Sequence, residues 1–442
     1  MPVFLLIIIF ILSVFFGLLT SINGMLSIFI IGSCFSVLLF DQIKEYLIVF
    51  LLLLTTSAGW LFSGTLPYPS YYINFIILPI LLFSIAIKKQ LKFDKYDLLV
   101  IAFVMLSFVS LWKTTIYDNQ PISYGLKVVR FDLLVLFYFY IRYSDLDSKK
   151  ILKAILLYGL LLSIIIIYAS LSRNEYLYYL ANISPETRLG FNRFFIGIPF
   201  MIFCTTYYFI LFLKTKKPQS LIAFLYYLMI VVLVMQSRII LFALIPTFIL
   251  IYIRFISISN KLNMAVFFVG VIILLSQFLI EGSVFNKYLK QTVEETYGSY
   301  SRINSYTARV MGHKHFVSEL LKHPVVGHGK FWYASGRHEE RGDRGHAIFS
   351  EDLGLATVAY KYGLLGVTWI ILFYYLVVYK LRKFSNKEII MSCYFFFVFT
   401  LFSGITLDFF IDTKKEIFSF LILAMLIKEY QPYNKNLIIN ET

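Results

Sequence analysis

Charge is scarce in this sequence. Asp, Glu, Lys and Arg together make up 15% of the 442 residues, against 59% hydrophobic side chains and a mean hydropathy of +0.78. A water-soluble domain cannot hide that much apolar surface, so the composition excludes one and predicts an integral membrane protein. Cysteine is nearly missing. Cys34, Cys204 and Cys393 lie far apart inside apolar runs, which excludes a CxxC metal site and a disulfide framework. The first apolar run has no basic stretch before it and no small-residue cleavage site after it, so it reads as a retained helix and not as a signal peptide. Internal repeats and low-complexity tracts are also lacking. The net charge of +15 sits mostly in short loops between apolar runs, which points to anionic lipid headgroups and not to nucleic acid.

What is present is a series of apolar runs long enough to cross a bilayer, where a helix needs about 20 apolar residues. They fall near 3–20, 24–40, 45–62, 71–87, 97–112, 122–141, 151–170, 190–213, 219–235, 238–256, 262–280, 354–380, 388–407 and 411–428. The expected fold is therefore an all-α integral membrane protein of about 12–14 transmembrane helices, with residues 1–442 forming a single polytopic domain. Lysine and arginine alternate between loops. Lys88, Lys89, Lys92 and Lys95 share one side with Arg142, Lys149 and Lys150, with Lys214, Lys216 and Lys217, and with Lys380, Arg382, Lys383 and Lys387. The positive-inside rule puts that side, and both termini, in the cytoplasm. Lys414 and Lys415 break the alternation, which suggests a re-entrant last hairpin.

The same count places a large polar loop, 281–353, outside the membrane on the extracytoplasmic side. All six histidines lie in it: His313, His315, His323, His328, His338 and His346. Histidine is the side chain that exchanges protons most readily near neutral pH, so the loop is where chemistry is expected. From Ser301 to Leu321 it reads as an amphipathic helix, with Arg302, Arg309, His313, Phe316 and Leu320 on one face. Ile303, Tyr306, Val310, Val317 and Leu321 form an adjoining apolar stripe that suits a membrane interface. Pro324 ends the helix, and Val325 to Gly329 make a turn.

Further cations fall on the same side. Arg188 and Arg193 precede the run at 190–213, and Ser237-Arg238 sits between two later runs. Lys127 and Arg130 are three apart and so share a face of an apolar segment, where a charge marks a site or a partner. Asp132 falls on a different face, leaving Asp408 as a remote partner for the arginine. Guanidinium forks match phosphate oxygens, so the set suits an anionic headgroup such as a pyrophosphate. No HExxH occurs, and His313 and His315, two apart, do not share a helix face; no metal is expected. The Asp145-Leu146-Asp147 sequence reads as a solvated turn in a short loop.

Arg309, then Leu320 through Gly329 with its Pro-Val-Val-Gly-His-Gly turn, then His346 and Tyr362-Gly363-Leu364-Leu365-Gly366-Val367, resembles the O-antigen ligase and polymerase superfamily. Ser237-Arg238 matches that family's Ser-Arg pair. Two positions depart: Ala347 follows His346 where members carry Asn, and His313 stands where Trp is common. The resemblance implies a membrane-embedded glycosyltransferase that takes a glycan from undecaprenyl pyrophosphate, with neither metal nor other cofactor. It gives His346 the role of base or acceptor-orienting group, and sets Arg238 and Arg309 on the pyrophosphate with Arg188 and Arg193 behind them. His313, Arg302, Arg130, Glu351 and Asp352 are supporting residues in this reading. The implied partners are the lipid-linked glycan, an acceptor glycan or lipid A core, the lipid bilayer and a chain-length regulator. The implied location is a bacterial inner membrane with the active site facing the periplasm or exterior. A polymerase of repeat units is favoured over a ligase acting on lipid A core. A flippase of lipid-linked sugars is the alternative from another class, for which inverted repeats and paired broken helices are expected and not apparent.

Overall fold

A computed structural model describes residues 44–55, 77–88, 91–171, 187–188, 191–192, 197–235, 238–255, 305–331, 353–382, 387–404 and 416–441. The runs at 3–20, 24–40 and 262–280, with Asp408, Lys414 and Lys415, lie outside the described residues. The chain is an all-α membrane protein. Four of its helices are long and apolar enough to cross a bilayer: Lys95–Ile116, Ser148–Tyr168, Ile198–Thr215 and Leu355–Arg382. Shorter apolar helices cover Leu78–Ile87, Pro218–Val232, Ile240–Phe255 and Glu388–Ser403. Large apolar side chains such as Phe83, Phe108, Phe242 and Ile371 project outward from these helices, as a lipid solvent allows. The one β element among the described residues is a two-residue ladder, Thr187↔Asn192 and Arg188↔Phe191, which the sequence reading does not anticipate.

In chain order the helices are α1 (Lys44–Thr55), α2 (Leu78–Lys88), α3 (Lys95–Ile116), α4 (Ile122–Leu133), α5 (Phe137–Tyr143) and α6 (Ser148–Leu171). After the ladder come α7 (Ile198–Thr215), α8 (Pro218–Met229), α9 (Arg238–Phe255), α10 (Ser305–Lys322), α11 (Leu355–Tyr374), α12 (Glu388–Ser403) and α13 (Glu416–Glu441). The apolar run at 122–141 is thus two helices, joined by a 3₁₀ turn at Leu134–Leu136. Helix α7 packs on α6, α8 and α12; α12 packs on α9 and α13; α11 packs on α3 and α10. Phe103 of α3 ties these groups together, with its ring 5.0 Å from Trp369 and 5.5 Å from Phe420. The Trp369 indole N–H then donates to the Leu99 carbonyl at 2.8 Å, which fixes α11 against α3.

One end of this bundle is held by a cation that the loop-charge reading assigned to solvent. Asp94 caps α3, accepting the Tyr96 N–H at 2.8 Å, and the Asp97 carboxylate answers by accepting the Asp94 N–H at 2.8 Å. Both carboxylates also accept from the buried Arg142 guanidinium, Asp94 at 2.6 and 2.9 Å, and Asp97 through a further contact. Burial acts to raise the Asp94 carboxyl, but Arg142 and the Tyr96 and Asp97 N–H groups outweigh it and hold the group below its usual range. A carboxyl depressed in the fold stabilises it above the unfolded pKa and loses that contribution as pH falls through the folded one. The thermal midpoint of purified protein is expected to drop below about pH 4, and Asp94→Asn to flatten that limb. An unchanged acid limb in Asp94→Asn would remove the clasp from the account.

Asp145 and Asp147 are exposed, as a solvated turn requires. The Asp147 carboxylate accepts the Lys149 N–H at 2.8 Å and opens α6, so Asp147 has a capping role.

Candidate functional site

The amphipathic pattern forms a helix, α10, over Ser305–Lys322. Residues 301–304, with Arg302, fall outside the described residues. Phe316 is buried, whereas Val317 is 56% and Leu321 77% exposed, together with Val325 and Leu364 beyond them. Of the stripe assigned to a membrane interface, Val317 and Leu321 are thus open at the surface. His313 is exposed beside it.

After Pro324 the chain turns sharply and locks into α11. Gly327 and Gly329 adopt φ of +72° and +94°, in the left-handed region that glycine reaches without strain. Opposite them α11 is broken at Gly363, with φ +63° and ψ −155°. The freed backbone groups are satisfied across the join. His328 N–H donates to the Tyr360 carbonyl at 2.6 Å, Gly329 N–H to Lys361 at 3.1 Å, Leu364 N–H to Pro324 at 2.8 Å and Leu365 N–H to Val325 at 3.2 Å. The sequence reading sees no broken helix, because Tyr362 to Val367 is simply an apolar run. The break exists only because the turn supplies hydrogen-bond partners from outside.

A polar layer beneath the turn was not legible as a site. Lys330 is buried, and its ammonium donates to both oxygens of the buried Asp132 carboxylate, at 2.7 and 2.9 Å. Its backbone N–H donates to Ser110 Oγ at 2.8 Å. Lys113, buried in α3, donates to the His328 carbonyl at 2.6 Å and to Asp118 at 2.8 Å. Asp132 thus has its partner on the loop, 198 residues away in sequence. Arg130 is fully buried, its guanidinium 4.5 Å from the Phe131 ring. Above this layer Tyr360 stacks with Phe316 at 3.9 Å and with His328 at 4.9 Å. Leu353, buried with Phe316 and Tyr360, closes the unit. Both ends of the 331–352 segment, Lys330 and Leu353, are thereby anchored in one block.

The predicted site residues divide as follows. Arg238 is the first residue of α9, Arg309 lies in the first half of α10, and Arg188 belongs to the ladder. The ladder packs against α6 and against the π-helical segment Ile230–Met235 that leads toward Arg238. Arg193, His346, Glu351 and Asp352 lie outside the described residues. Among the described residues no group of three or more His, Cys, Asp or Glu is placed to hold a metal ion. Neither a protein-family model nor a curated protein matches the chain.

Proposed function

We propose that the chain is a metal-independent, inverting glycosyltransferase that joins undecaprenyl-pyrophosphate-linked repeat units into a bacterial surface polysaccharide outside the cytoplasm. The observation that supports it best is the interlock just described. The Pro-Val-Val-Gly-His-Gly turn and the Gly-Leu-Leu-Gly segment, the two halves of the resemblance, meet backbone to backbone between Pro324 and Leu365. Residues that mattered only as unrelated surface features would have no reason to fit this way.

In this reaction the acceptor hydroxyl attacks the anomeric carbon of the donor sugar while the bond to the pyrophosphate oxygen breaks. His346 takes the hydroxyl proton. Arg238 and Arg309 stabilise the negative charge that grows on the departing pyrophosphate, with Arg188 and Arg193 in support. Attack opposite the leaving group inverts the anomeric centre.

The test is a gel of the host's surface glycan after deletion of the gene, complemented by the wild type or by His346→Ala. Wild type is expected to restore the polysaccharide ladder and His346→Ala to leave at most one repeat unit on the anchor. Long glycan stranded on undecaprenyl pyrophosphate beside bare acceptor would make the protein a ligase. Full restoration of the ladder by His346→Ala would remove that residue from the reaction.

A further inference from the structure

At the far end of α11 from the Gly363 break, the helix passes through a π-helical turn, Tyr375–Tyr379, and ends in a 3₁₀ turn, Lys380–Arg382. Tyr375 and Tyr379 stack at 5.3 Å and 15°, yet each is nearly half exposed, at 44% and 47%. The Arg382 guanidinium lies 4.1 Å from the Tyr379 ring centre, and the Lys380 ammonium lies 5.4 Å from Tyr375 and 6.0 Å from Tyr379. Both cations are exposed. From α12, the Tyr394 hydroxyl donates to the Val378 carbonyl at 3.1 Å. The end of α11 thus brings two exposed cations, Lys380 and Arg382, over a tyrosine floor.

Acids near this end are already engaged. Glu388 accepts from Lys214 at 2.6 Å, and Glu429 lies 3.6 Å from Lys387. Among the described residues, neither Lys380 nor Arg382 forms an ion pair with a carboxylate. The Leu355–Arg382 helix has 28 residues. Beyond the Gly363 break, the part from Leu364 to Arg382 covers about 28 Å at 1.5 Å per residue, close to the roughly 30 Å hydrocarbon core, so the Arg382 end reaches the headgroup layer.

We infer that Lys380 and Arg382, over Tyr375 and Tyr379 and braced by Tyr394, form a binding site for the phosphate headgroup of an anionic phospholipid. The rings hold the cations in place by their π faces, which lowers the ordering cost of binding a phosphate. The Tyr375 and Tyr379 hydroxyls and the guanidinium N–H groups supply the donors, and the lipid tails lie along the exposed apolar flank of α11 at Ile371 and Leu372. This site is independent of the transfer chemistry and stands or falls without it.

The test titrates full-length protein in nonionic detergent with phosphatidylglycerol or phosphatidylcholine of matched chains, counting bound lipid by native mass spectrometry. Each cation near an anionic lipid is expected to contribute about fivefold, so Lys380→Gln/Arg382→Gln should weaken phosphatidylglycerol binding about 25-fold and leave phosphatidylcholine unchanged. Tyr379→Leu keeps every charge and is expected to weaken the anionic lipid severalfold by freeing Arg382. Lys149→Gln/Lys150→Gln removes two exposed cations elsewhere and should change nothing. Equal losses in the two double variants would reduce the effect to bulk charge and overturn the site. Displacement of the lipid by millimolar glycerol phosphate would overturn the lipid assignment in favour of a soluble phosphate ligand.

Discussion

Asp132→Asn is expected to destabilise the protein by about 3–5 kcal/mol, among the largest effects of any single substitution in this fold. The Lys330 side chain is 4% exposed and that of Asp132 is 0% exposed, so neither can turn to solvent when its partner is lost. Asparagine keeps one acceptor oxygen but no charge, so the ammonium, buried against the Tyr362 ring at 5.1 Å, loses the carboxylate that accepted two hydrogen bonds from it. The cost comes from the orphaned charge and not from the net worth of the pair. It follows that Asp132→Leu combined with Lys330→Met, which removes both charges at similar volume, recovers most of the loss. Thermal midpoints of the single and double variants in detergent decide the matter. A single variant that melts with the wild type, or a double variant as weak as the single, would show that the ion pair does not hold the turn.

That pair also marks where sequence reasoning reached its end. Hydropathy located the helices well, since each of the four long apolar helices coincides with an expected run. The amphipathic period of α10, the stop at Pro324 and the turn through Gly329 were legible because each is a local property of a few consecutive residues. Partners distant in sequence were not. Asp132 could be seen to miss Arg130, but its true partner, Lys330, lay beyond any periodicity argument. Arg142 looked like one more loop cation, because Asp94 and Asp97, 48 and 45 residues before it, are brought to it only by the packing of the bundle. A lysine directly after a Gly-x-Gly turn in an otherwise apolar bundle was the available signal for Lys330. Its meaning depended on an acid inside a membrane segment, the combination that hydropathy alone cannot pair.

Alanine at Gly363 or Gly327 is the second large effect expected, and here the argument is purely steric. A Cβ on Gly327 would sit 2.4 Å from the Gly363 nitrogen and 2.6 Å from the Tyr360 carbonyl oxygen; one on Gly363 would sit 2.4 Å from the Val325 oxygen and 2.5 Å from the Gly327 nitrogen. All of these neighbours are backbone, and both glycines have positive φ, so no rotamer change relieves either contact. Left-handed strain and forced separation together are expected to cost about 2–6 kcal/mol. Gly159→Ala is the matched control. Its Cβ would meet the Cys204 Sγ at 2.6 Å, but that is a side-chain atom able to move, and the expected loss is about 1–3 kcal/mol. Melting the three variants side by side separates a crowded core from an interlocked backbone. Should Gly327→Ala and Gly363→Ala lose no more than Gly159→Ala, the turn is not seated in the helix break. If they lose more, Gly363→Ala should also fail to restore the polysaccharide ladder. The seat it disrupts anchors Lys330 and Leu353, the residues that flank the segment bearing His346.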